Sequence, residues 1–299
     1  MTADHPAQPS SPAVRLWRRV PAVLRAIVIG ELIVSAGVVV PGLLIVANLK
    51  LSPRVPWLLP GTAAWIWVSW RYLNGWGWPR ATAAARRRDL RARSLPGRTW
   101  RWSLLAGGLG IASVAGLAFL TPRLAGIPRD AFKAPVDLAA YPPWTVAAAL
   151  LAISAVAGVF EEAGYRGYML SQIERRHGWV AAILIVGLMF FADHHVSHAY
   201  ATLAFLPFFL AVSLVHGLLV YCVRSILPSV VLHAVADALI IPVQYGLIGK
   251  IPVGVVWETG ADPAFITSLA VFLACGVAAV PAFRRLATIA GCGASAADS

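Results

Sequence analysis

The chain is poor in charge. Only 13% of its 299 residues are Asp, Glu, Lys or Arg, against roughly a quarter in a soluble domain. Acid is scarcer still, with 13 Asp and Glu against 25 Lys and Arg and a formal net charge of +12. The cysteines are few, Cys222, Cys275 and Cys292. They lie in or near apolar stretches without the spacing of a disulfide framework or a zinc finger. No internal repeat and no separate soluble domain is visible, and the first apolar run is too long to read as a cleavable signal peptide. Together these shortages exclude a disulfide-stapled secreted module and an ordinary soluble enzyme.

What is there is apolar. Hydrophobic residues make up 59% of the chain and the mean hydropathy is +0.73, the composition of a polytopic membrane protein. A crossing takes about 20 mostly apolar residues, and eight runs qualify: 26–48, 55–70, 102–121, 144–172, 179–198, 200–223, 226–248 and 263–283. The second is short and rich in tryptophan (Trp57, Trp65, Trp67, Trp70), the pattern of interfacial anchoring. With the N-terminus inside, 18 Lys and Arg fall on cytoplasmic segments and 6 on outer ones, as the positive-inside rule requires. The expected fold is therefore all-α, a transmembrane helical bundle of about eight spans with both termini cytoplasmic. Residues 1–20 are expected as a disordered tail, 21–285 as one transmembrane domain with its motif core at 144–242, and 286–299 as a C-terminal tail. The basic excess would suggest nucleic acid in a soluble protein. Here topology explains it, and the arginine-rich stretch Arg86–Arg101 reads as a surface helix on anionic headgroups. The expected partners are the lipid bilayer and a membrane-associated substrate, with no nucleic acid.

Against this background the buried ionisable groups stand out, since each costs about 2.5–3.5 kcal/mol near a bilayer centre. Glu161 and Glu162 end a long uncharged run, with Arg166 one turn on; Asp193, His194 and His195 end another; His233 and Asp237 sit in a third. The first two runs form a hairpin turning near Glu174 to Gly178. Glu161 and His194 then lie at similar depth, about 20–25 Å along their helices. His233 and Asp237 are one turn apart at comparable depth. Groups so placed must face the bundle interior or water. Glu162 and Arg166 share a helix face and can pair, which leaves Glu161, about 100° away, free for another task. A carboxylate in a water-poor pocket suits general-base work on water. An opposing histidine suits oxyanion stabilisation. Glu161, His194 and His233 also form a donor set that zinc accepts with an open fourth position, so zinc is a possible cofactor.

These residues resemble the motifs of the CAAX protease and bacteriocin-processing family of intramembrane endopeptidases, also called CPBP or Abi proteins. The pattern Glu-Glu-x-x-x-Arg is matched by Glu161-Glu162-Ala-Gly-Tyr-Arg166. Phe-x-x-x-His is matched by Phe190 to His194, or equally by Phe191 to His195, with depth favouring His194. His-x-x-x-Asn/Asp is matched by His233 to Asp237. The resemblance covers about residues 144–242. It implies peptide-bond hydrolysis at the membrane, with Glu161 activating water, Glu162 and Arg166 supporting the helix, and His194 and His233 stabilising the oxyanion or orienting the water. The prenyl-protein branch commonly has Asn where this chain has Asp237. An ionised Asp cannot donate a hydrogen bond, so Asp237 is expected to orient His233, to sit protonated or to bind a metal. Two other readings compete: a proton-coupled transporter, which would show the pseudo-repeats this sequence lacks, and a non-catalytic immunity-type partner on the same fold. His198 and His216 read as interhelical hydrogen bonders, and Glu31 as a group reaching for the inner surface.

Overall fold

The structure, a computed structural model, describes residues 16, 17 and 19–292; residues 1–15, 18 and 293–299 of the expected tails lie outside what is described. Its elements are helices joined by short turns, with no strand among the described residues. Six helical stretches are long and apolar enough to cross a membrane. The chain is an integral, multi-pass membrane protein.

Helix α1 (Ala22–Leu51) carries Pro41 in its interior. Proline cannot close the bond to the carbonyl four residues back, and the indole Nε1 of Trp65 donates to that carbonyl, Gly37 O, at 3.2 Å. Trp65 belongs to the short, tryptophan-rich α2 (Leu58–Leu73). The turn between them is built by Asn48, which is fully buried. Its amide donates to Ser52 O and Val55 O, and its Oδ1 accepts from Leu58 N–H. The second apolar run is thus fixed as an antiparallel partner of the first.

The arginine-rich stretch departs from expectation. Instead of one surface helix over Arg86–Arg101, α3 (Ala83–Leu90) stops at Arg91, whose φ of 55° is left-handed. The chain then runs on without helix to Pro96, where α4 (Gly97–Ala125) begins. Arg86 does not face headgroups. It is buried and donates to the carbonyls of Tyr72, Trp76, Gly77 and Pro79, closing the turn after α2. The carbonyls left open there need a donor, and one guanidinium supplies five N–H groups.

Helix α5 (Pro143–Glu161) passes into a π-helical stretch, Glu162–Met169, and then α6 (Leu170–Ser197). The 55-residue helical stretch Pro143–Ser197 is broken at Gly178 (φ 77°, ψ 168°), where the hairpin turn was expected. Helices α7 (Leu206–Val223) and α8 (Leu227–Gln244) follow, then a short α9 (Val256–Thr259) and the final α10 (Pro263–Ala290). Helix α10 thus continues past the expected domain boundary at 285. It lies along α4 through small residues: Ser113 Oγ donates to Phe272 O at 2.7 Å, and a Cβ on Gly116 would stand 2.7 Å from Ser268 O. At the far end of this pair Arg123, 2% exposed, donates to Gly254 O, Gly260 O, Thr259 Oγ1 and Asp262 Oδ2.

Candidate active site

Glu161 is the last residue of α5, and the π-helical turn starts beside it. Such turns insert an extra residue and frequently mark functional sites. Gly164 lets the widened turn touch α1, since a Cβ there would lie 2.7 Å from Gly30 O. Every residue from Glu162 to Met169 is buried.

Within this turn the Glu162 carboxylate is the hub. Its Oε1 accepts from Arg166 Nη1 at 3.1 Å and from His233 Nδ1 at 2.8 Å. Both Glu162 and Arg166 are fully shielded. The guanidinium also lies over the Phe190 ring, 4.5 Å from its centroid, a cation–π contact in a dry setting. Because His233 Nδ1–H donates to Glu162, that ring is held with Nε2 turned to the cavity. Two further carboxylates reach this nitrogen: Glu161 Oε2 at 3.6 Å and Asp237 Oδ2 at 3.6 Å. Glu161 Oε2 is buried and has no hydrogen-bond partner in the protein.

The two candidate motif histidines part company. His194 lines the cavity with Glu161, His233 and Asp237. Its Nδ1 lies 2.9 Å from Phe190 O; a carbonyl only accepts, so Nδ1 carries the proton and the Nε2 lone pair is free. His195 is exposed, stacks on Phe191, and donates from Nδ1 to Ala201 O at 2.7 Å. It does not line the cavity.

Sequence reasoning gave His216 too small a part. On α7 it bonds Ser229 of α8, joining those helices as expected, but its Nδ1 also lies 3.8 Å from Glu162 Oε2. Ser229 stands one turn before His233 on α8. The only signal available was a lone histidine on an otherwise apolar helix. Glu31 Oε2 accepts from the Tyr165 hydroxyl at 3.4 Å.

The three ligand-type residues drawn within 4.8 Å of one another among the described residues are Glu162, His216 and His233, not the expected Glu161, His194 and His233. Glu162 there already pairs with a guanidinium, which would repel a cation, and the His233 nitrogen facing it carries a proton.

The cavity above these groups has a volume of about 460 Å³. Its walls come from α1, α4, α5, α6, α7 and α8, so helices without any motif residue build much of it.

Residues 143–239 match the family model described as type II CAAX prenyl endopeptidase Rce1-like. Over these residues the chain is similar to CPBP-family proteases. The match begins at α5 and ends in α8, enclosing Glu161, Arg166, His194, His233 and Asp237. No curated protein and no solved structure matches the chain.

Proposed function

We propose that the protein is an intramembrane endopeptidase that hydrolyses a peptide bond of a membrane-associated protein or peptide with water activated by Glu161. The observation that carries this reading is the division of labour between the adjacent glutamates. Glu162 is consumed by Arg166 and His233, while Glu161 keeps an unpartnered oxygen at the cavity beside His233 Nε2. In the reaction Glu161 takes one proton from water as its oxygen bonds to the carbonyl carbon. The tetrahedral intermediate then expels the amine, which receives that proton as the C–N bond breaks. His194, with its Nε2 lone pair open, accepts from the water and aims it. His233 is held by Glu162 through Nδ1–H; with the Glu161 and Asp237 carboxylates 3.6 Å from Nε2 it acts as the imidazolium, donating Nε2–H to the developing oxyanion.

The same reading gives the chain eight crossings with both termini cytoplasmic. Splitting the long helical stretch at Gly178 and counting α2 beside α1 supports that number. The arginine-rich turns all fall at one end of the bundle, which supports the orientation.

The test compares wild-type and Glu161→Gln membranes by C-terminal peptide profiling. General-base loss typically costs about 10²–10⁴ in rate, so the variant should fold, insert and accumulate uncut substrate. Unchanged profiles with comparable expression would refute the proposal.

A further inference from the structure

We infer that the cavity takes its substrate from the arginine-poor end of the bundle, so that the polypeptide it cuts is presented on the outer side of the membrane. This deepens the proposed function and rests on its orientation.

The inner end is closed. Beneath Glu162 and His233 lies a buried cluster of Leu73, Leu90, Ala163, Tyr168, Val220 and Ile226. The Tyr168 hydroxyl donates to Leu73 O at 3.1 Å. Backbone packs on backbone there, since a Cβ on Gly167 would stand 3.2 Å from Leu90 O. Ion pairs lace the surface below: Arg91 with Glu174 at 2.7 Å, Arg175 with Asp89 at 3.1 Å, and Arg224 with Glu174. His216 and His233, above this face, are 1% and 7% exposed.

The other end is different. The cavity wall climbs α8 from Asp237 through Ile240 to Gln244 and Tyr245 at the helix end, and it includes Tyr200 from the turn before α7. All of these are half-buried rather than closed. Ile45 of α1 and Ile153 of α5 complete an aliphatic wall on the same half. The groups that do chemistry therefore form a floor, and a polar rim that includes Tyr200, Gln244 and Tyr245 lies opposite the arginines. A prenylated C-terminus presented in the cytoplasm would meet the closed face. An outer-leaflet or extracytoplasmic segment, with an aliphatic residue against Ile45, Ile153 and Ile240, meets the open one.

The test uses the full-length protein in its membrane, with Cys222, Cys275 and Cys292 replaced by serine and single cysteines introduced. Leu203→Cys marks the outer turn, Arg87→Cys the inner one, and Ile240→Cys the cavity wall, with Ala236→Cys as a second wall position. The probe is methanethiosulfonate ethylsulfonate, a small anionic thiol reagent that does not cross membranes. In intact cells it should modify Leu203→Cys and both wall positions but not Arg87→Cys, which should react only after permeabilisation. Markers as expected with wall positions reacting only after permeabilisation, or not at all, would overturn the access inference and leave the orientation standing. Reversed markers would overturn the orientation and the inference with it. Neither result touches the Glu161 chemistry, which the peptide profiling tests by itself.

Discussion

Replacing Arg166 by Met removes a cation from a fully enclosed pair. The Glu162 carboxylate then keeps only the His233 Nδ1–H and loses its 3.1 Å partner. Breaking a buried pair on one side costs about 3–5 kcal/mol. The lost cation–π contact with Phe190 adds up to about 2 kcal/mol. In a membrane the unfolded helices find substitute partners, which lowers polar contributions, so the expected loss is at the lower end, about 3 kcal/mol. The informative measurement is the cycle of Arg166→Met, Glu162→Leu and both together, followed by unfolding of the purified protein in mixed detergent. The double variant leaves no orphaned charge and should recover most of the loss, with a coupling of about 2 kcal/mol, within the range for contacting residues. Activity should not recover in it, because His233 has lost the group that orients it. Single-variant losses under about 1 kcal/mol, or strictly additive losses, would refute the electrostatic account of this hub. Recovered cleavage in the double variant would refute the orienting role of Glu162.

Other outcomes follow from neighbouring contacts. His194→Ala should lower cleavage at least tenfold, whereas His195→Ala, off the cavity, should leave kcat/KM within about twofold; equal effects would argue that the second motif histidine has been misplaced. Gly37→Val should destabilise by about 1–3 kcal/mol, the usual cost of overpacking, because a Cβ at that position falls 2.1 Å from the Phe160 ring; an unchanged unfolding midpoint would contradict the close approach of α1 to α5. The Asp262 carboxyl is held below its ordinary value first by the Phe265 backbone N–H and then by Arg123. A lowered folded pKa means the Arg123–Asp262 clasp is intact above the unfolded value of about 3.9 and is lost as pH falls through the lower folded value. Protease sensitivity of residues 246–262 should rise on that acid side, and Asp262→Asn should make it independent of pH there.

The motif helices were legible because their physics is local. Uncharged runs of membrane length, a turn marked by Glu174 to Gly178, and an i,i+4 spacing of Glu162 and Arg166 are all one-dimensional features, and each has its counterpart in the fold. What escaped depends on contacts distant in sequence or on geometry that departs from the ordinary helix. The π-helical turn at Glu162–Met169 obeys no 3.6-residue pattern. Arg86 looked like a surface charge because nothing local shows that the carbonyls of Tyr72 to Pro79 are waiting for it. His216 is 54 residues from Glu162 and meets it only after α7 has folded back.

A pocket closed at its base and open at one rim imposes an order on turnover. If the proposed activity and access route hold, both fragments of a severed chain must back out through the same doorway that admitted the whole. On the proposed function, the piece lodged against the aliphatic wall would be the harder to release, and its departure, rather than bond scission, would set the pace for greasy substrates. Shortening or polarising that piece should then speed the steady state while leaving the first turnover unchanged.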